Sequence, residues 1–261
     1  EIRSDLLDYA YEIEWFDRHL GRMLRQLEDL GELERTIIVV TSDNGMAFPR
    51  AKANCYEYGI HMPLAICWPA RAPGGRVVKD LVSLTDLMPT FLESCGVAVP
   101  AAIAGKSLLP ILTSGDDGQV DPARRVTYSA RERHSSSRWN NLGFPQRCIR
   151  SHQYLYIKNF HPERWPAGAP QKYGSGGYAK NSLDALQLGP IHAAYHDIDA
   201  CPTMAYLLQN RSQPDIQTFF QLAVGKRPAV ELYDIVQDPA CLNNLAEVDR
   251  FVAVRDRLGA Q

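Results

Sequence analysis

The sequence has no apolar run approaching the roughly 20 residues of a membrane-spanning helix, and nothing in it reads as a transmembrane segment. It also lacks an excess of charge. Its 28 Lys and Arg face 30 Asp and Glu, for a formal net charge of −2, which gives no reason to expect nucleic acid or an anionic membrane as partner. A cysteine framework is missing too. Cys55, Cys67, Cys95, Cys148, Cys201 and Cys241 are scattered, with no Cys-x-x-Cys among them. They read as buried free thiols and argue against a zinc site. One or two disulfides stay open if the protein is exported. There is no internal repeat, initiator Met or signal peptide, and Glu1 falls inside a helical pattern already under way.

What is present suits a globular chain long enough for one large domain or two small ones. From Leu6 to Leu30 apolar residues recur at helical spacing (Leu7, Tyr11, Trp15, Leu20, Leu24, Leu27), with charges on the other face. This predicts an amphipathic helix packed on something and stopped at Gly31. Thr36–Ser42 is a β-branched run that predicts a strand buried on both faces. Pro63–Pro69 predicts another short buried strand, and Asp86–Cys95 a helix with Asp86 near its start. Residues 113–122 read as a loop.

Beyond residue 120 the character changes. Arg125–Arg131, Gln146–Arg150 and Tyr154–Asn159 predict short strands of an antiparallel sheet, with His152-Gln153 as a hairpin turn. Residues 160–189, rich in Pro, Gly, Tyr and Ser, read as a long ordered loop. A helix is expected to begin near Asp199–Leu208, a last strand at Glu231–Asp234, and a closing helix at Glu247–Leu258. The expected fold class is α/β. Residues 1–120 form an incomplete doubly wound sheet, and residues 121–261 a small α+β subdomain. Two buried strands with two helices cannot enclose a doubly covered sheet. The chain is therefore expected to be a fragment or to associate with a complementary polypeptide.

Chemistry concentrates at Ser42-Asp43-Asn44-Gly45, directly after the first predicted strand. A carboxylate beside an amide carbonyl suits a hard cation such as Ca²⁺, at the strand end where α/β sheets bind ligands. The same tetrapeptide also makes an ordinary turn. Lys52 follows at a spacing of nine from Asp43 and could neutralise a sulfate or phosphate oxygen.

Thr36–Lys52 resembles the second signature region of the type I sulfatases, in the alkaline phosphatase superfamily. Tyr56-Glu57, Gly59–Leu64, Leu84–Thr90 and Gly105–Leu108 resemble that family's next blocks. Glu231–Asp234, Asp238-Pro239 and Asn244–Ala246 are similar to its C-terminal element. The Asn-Gly-x-x-Phe-Pro variant resembles the sulfamidase (heparan N-sulfatase) branch, and the likeness is to the C-terminal part only.

The resemblance implies Asp43 and Asn44 as ligands of Ca²⁺ and Lys52 as a catalytic contact to the sulfate. It implies hydrolysis of a sulfate ester or sulfamate on a sulfated sugar, of glycosaminoglycan type, in an exported protein. The family's nucleophile is a formylglycine made from Cys-x-Pro-Ser/Ala-x-Arg, and none of the six cysteines stands in that motif. The early Asp-Asp pair is absent as well, since Asp116-Asp117 lies in a Gly-rich loop. This polypeptide alone is therefore expected to be inactive.

Arg131, Arg133 and His134 are further candidates for binding an anionic substrate. They read equally as a solvated loop. Asp197, Asp199 and the aromatics Trp165, Tyr173 and Tyr178 could shape a carbohydrate subsite or simply pin the long loop. Two other readings stay open: a piece of a phosphodiesterase or phosphatase of the same superfamily, and a non-catalytic binding or assembly module. His61, before Met62-Pro63, reads as structural rather than as a ligand of a second metal.

Overall fold

The computed structural model describes residues 1–134, 138, 141–170 and 194–261. Tyr173 and Tyr178 lie outside the described residues.

The helical spacing of the first 30 residues becomes one long helix, α1 (Ile2–Asp29), and Gly31 ends it in the left-handed region at φ +67°. Its first turns are anchored by side-chain contacts. Asp5 is buried and accepts from the Thr203 backbone N–H (2.9 Å) and hydroxyl (2.5 Å). Tyr9 meets Phe48 edge-on at 5.7 Å. Farther along, Tyr11, Ile13, Trp15 and Phe16 are each more than half exposed. Of the stripe expected to pack, Leu7, Tyr11 and Trp15 are exposed, while Leu20, Leu24 and Leu27 are half-buried.

The two expected strands form as β1 (Ile38–Thr41) and β2 (Leu64–Cys67). They pair antiparallel, with Val39 opposite Ile66. Neither is buried on both faces: β1 is half-buried, and β2 alternates between half-buried and exposed. A β-branched run sets the conformation of a strand but not the number of its neighbours. Here, among the described residues, each strand has only the other.

Between β2 and the second sheet lie two short helices. A 3₁₀ turn at Leu84–Asp86 leads into α3 (Leu87–Ser94), and α4 spans Leu109–Thr113. Ser83 and Asp86 form a reciprocal cap at the start of the turn. Buried Asp86 also accepts from Arg124 (2.7 Å) and from the Lys106 backbone (2.8 Å), joining the turn to the chain leading into the second sheet.

That sheet has four antiparallel strands in the order β3 (Val126–Arg131), β4 (Gln146–Ser151), β5 (Tyr154–Asn159) and β6 (Val230–Asp234). The three strands expected before residue 160 and the hairpin at His152-Gln153 are as read. Among the described residues between β5 and β6, α5 (Pro202–Gln209) and α6 (Pro214–Val224) pack together. Helix α6 lies in a stretch for which no element was expected. The closing helix is shorter than expected, at α7 (Val252–Gly259), with a 3₁₀ turn before it.

Both faces of this sheet are covered. On one, Leu155 and Ile157 of β5 pack with Tyr233, Cys148 and the loop residues Cys55 and Tyr56. On the other, Tyr156, Ile149 and Leu232 pack with Ala246 and Leu258 of α7. Alternate residues of β5 thus point into separate cores, which is why it reads as a nearly unbroken apolar run. A third core joins α5, α6 and Tyr195.

Candidate active site

The chain leaves β1 at Thr41 and folds into a tight loop before α2 (Glu57–Ile60). Ser42 Oγ donates to the Asn44 carbonyl (2.7 Å). The Lys52 backbone N–H returns to the Met46 carbonyl (3.0 Å). This closes a ring with Asp43 and Asn44 on one limb and Lys52 on the other. Two glycines permit the crossing. A Cβ on Gly45 would lie 2.2 Å from the Tyr58 carbonyl oxygen, and one on Gly59 would lie 2.3 Å from that of Asn54. Arg50 (φ +67°) and Ala53 (φ +59°) flank Lys52 in the left-handed region. That conformation costs a non-glycine residue about 1–3 kcal/mol, so the surroundings must hold it.

Much of the holding comes from the four-stranded sheet, through three consecutive residues. Cys55 and Cys148 of β4 hydrogen-bond through their thiols, and this bond together with burial pushes the Cys55 thiol up. Tyr56 donates to Glu231 of β6 (2.8 Å). Burial pushes its phenol up as well. Glu57 accepts from Arg150 of β4 at 2.6 and 3.2 Å and meets His61 at 2.8 Å. Burial alone would raise the Glu57 carboxyl, but the bonds from His61 and Arg150 outweigh it and hold it at about 2. His61 is therefore part of the framework, as its sequence setting suggested. Glu231, buried among strands, also accepts from Tyr233 (2.6 Å) and Asn159 (2.7 Å). Arg50 adds a fourth anchor. It reaches the carbonyls of Leu222 (3.1 Å) and Cys241 (2.5 Å) and lies 3.8 Å over the Tyr56 ring.

The loop and the end of β3 enclose a cavity of about 940 Å³, lined by Asp43, Asn44, Lys52, Arg131, Arg133 and His134 among others. All six candidates from the sequence therefore face one space. Asp43 is exposed and Asn44 half-buried, so their oxygens are open to a ligand. Among the described residues no cluster of three or more His, Cys, Asp or Glu could hold a metal by itself.

The other wall differs from a solvated loop. Arg131 is buried, and its guanidinium donates to Asp197 (2.5 Å). Arg138 donates to the same oxygen (2.7 Å) and to the carbonyls of Trp165 and Pro166. Asp199, two residues on, accepts from Lys52 (2.7 Å) and faces His134 at 3.7 Å. Arg133 stays exposed. Trp165 is buried and packs on Tyr195 at 6.5 Å, so it pins the loop instead of offering a face to a sugar. The sequence did not single out Arg50 or Arg150 as framework. A lone Arg carries no local signal of a partner many residues away.

Residues 3–97 match the family model described as Sulfatase. Human N-sulphoglucosamine sulphohydrolase is 25% identical over 99% of this chain and 47% of its own length. The N-acetylglucosamine-6-O-sulfatase of Bacteroides thetaiotaomicron is 31% identical over 69% of this chain and 34% of its own.

The chain resembles the sulfatases.

Among solved structures, one in complex with its substrate D-glucosamine-2-N,6-O-disulfate superposes with a TM-score of 0.60 at 24% identity. It covers 94% of this chain and 36% of the other. The fold is therefore that of the sulfatase structures over nearly all of these residues. The chain spans less than half the length of the curated relatives it matches.

Proposed function

We propose that these residues form the metal-side loop and one substrate wall of a metal-dependent sulfatase, which hydrolyses a sulfate ester or sulfamate on a sugar. The observation that carries the reading is the shared cavity, with hard oxygen donors on one limb of the loop and Lys52 on the other. Asp43 and Asn44 are the right donors for Ca²⁺, which takes six to eight oxygens. They fit as part of a larger ligand set. When bound, Ca²⁺ would offset charge on a sulfate oxygen.

Within the chain itself, Lys52 presents an ammonium to the same oxygens. Exposed Arg133 attracts an anionic sugar, and Arg131 and His134 line the same wall. The relatives that act on glucosamine derivatives favour an amino sugar. Export from the cytosol belongs to the same proposal. So does inactivity of the 261 residues expressed by themselves, because no cysteine stands in the formylglycine motif.

The test uses the natural polypeptide that carries these residues and, separately, the 261 residues alone. Each is assayed on glucosamine N-sulfate and glucosamine 6-sulfate. Turnover by the natural polypeptide only, abolished by chelation and restored by Ca²⁺, is expected. Lys52→Ala should lower it about 100-fold or more, as for loss of one oxyanion donor. Turnover of phosphodiesters in place of the sulfated sugars would overturn the reading, as would sulfate release by the 261 residues alone.

A further inference from the structure

Two carboxylates separated by one residue hold three cationic or basic groups that line the cavity, Arg131, Lys52 and His134, and buried Arg138 behind them. Asp197 takes Arg131 and Arg138 on one oxygen. Asp199 divides its oxygens, Oδ2 accepting from Lys52 Nζ at 2.7 Å and Oδ1 facing His134 Nε2 at 3.7 Å. The segment that bears them is fixed. Tyr195 is fully buried with φ +54°, and its N–H bonds the Ala169 carbonyl at 2.9 Å. The Asp197 N–H bonds the Ala167 carbonyl at 3.0 Å.

We infer that Asp199 is the positioning residue of this site, a fixed bridge that sets Lys52 and His134 relative to one another at the cavity. The inference rests on the sulfatase reading given above. An ammonium has three donors. One directed at Asp199 leaves two for the ligand and removes most of the freedom of a four-carbon stem. Lys52 sits on a loop held by the sheet, and His134 lies just past the end of β3. Asp199 is the carboxylate in contact with both. It is about one-third exposed, so its loss leaves no buried charge unpaired. Asp197, nine-tenths or more buried under two guanidinium groups, plays the structural part in the same segment.

A double-mutant cycle in the natural polypeptide tests this, with the sulfated glucosamine it turns over as substrate. Asp199→Asn should lower kcat/KM about tenfold, mostly in kcat, with an unchanged melting temperature. Asp199→Glu should recover part of the loss. Lys52→Ala with Asp199→Asn should lose far less beyond Lys52→Ala than Asp199→Asn loses by itself, because most of the bridge's effect acts through the lysine. Multiplicative losses, or wild-type kinetics in Asp199→Asn, would overturn the inference and leave the sulfatase reading standing. Normal turnover in Lys52→Ala sinks both.

A readout without turnover is acetic anhydride labelling followed by peptide mass spectrometry. Labelling of Lys52 should rise severalfold in Asp199→Asn, with Lys158 and Lys226 unchanged. An unchanged Lys52 would show that the contact does not exist in solution.

Discussion

The four-stranded sheet and the layer formed by α1, β1 and β2 are made of similar residues and end in opposite states. In the sheet, β5 places Leu155 and Ile157 in one core and Tyr156 in another, all nearly inaccessible. In the layer, Ile13, Trp15 and Phe16 of α1 are more than half exposed, and β2 alternates without a covered face. Hydrophobic pattern specifies which face of an element wants cover. It does not specify that cover exists within the same stretch of chain. The site loop belongs by sequence to the layer and by energetics to the sheet, since Cys55, Tyr56 and Glu57 each grip a strand of it.

The largest break in that comparison comes from Glu231→Ala. It strands two tyrosine hydroxyls and the Asn159 amide inside the sheet, and unfolding free energy should fall by about 3–5 kcal/mol. Urea denaturation followed by circular dichroism reads this directly. A change below about 1 kcal/mol would show that Glu231 is not the keystone between loop and sheet.

Gly45→Ala comes next. Its Cβ would sit 2.2 Å from a backbone oxygen that cannot move without opening the loop. A loss of about 2–4 kcal/mol is expected. Ca²⁺ binding by the natural polypeptide, measured by calorimetry, should weaken at least tenfold. Unchanged binding would show that the crossing does not shape the Asp43–Asn44 limb.

Acid separates the regions by a milder route. The folded-state carboxyl of Glu57 is held at about 2 against an ordinary 4.5, so its stabilisation is complete above pH 4.5 and is lost as pH falls toward 2. The difference corresponds to about 3 kcal/mol. Glu57→Gln should flatten the fall in stability between pH 5 and 2 and lower stability at neutral pH. An identical acid limb in the variant would locate the acid sensitivity elsewhere.

The smallest effect is expected on α1. Trp15→Ser in the 261-residue chain should shift stability by no more than about 0.5 kcal/mol, as for other exposed sites. Amide exchange should be fast from residue 11 onward and slow in β5. A loss of about 3 kcal/mol for the same substitution in a longer polypeptide or a complex would show the face covered there.

The sequence made the local features legible. The Gly31 stop, the three strands from 125 to 159 and the hairpin between them follow from periodicity and turn chemistry. Asp43, Asn44 and Lys52 were singled out by the likeness of Thr36–Lys52 to a sulfatase signature, since the residues by themselves read equally as a turn and a surface lysine. The antiparallel β1–β2 pair was not legible, since a strand does not encode its neighbours. Nor was the division of labour between Asp197 and Asp199. Both are ordinary aspartates after a long loop, and only folding brings Arg131, Arg138, His134 and Lys52 to them. Helix α6 buries Phe220, Ala223 and Val224 on one side, a spacing that the sequence does carry.

The crossing at Gly45 and Gly59 bears on how such a protein could change over generations. Two strands of backbone pass so closely that neither glycine can acquire a side chain, and no single substitution there is a gradual step. The opposite rim is permissive: Tyr128, Glu132 and Arg133 line the same cavity and are exposed. New ligand preferences would therefore enter from the β3 rim. The loop that holds Asp43, Asn44 and Lys52 would be inherited nearly intact.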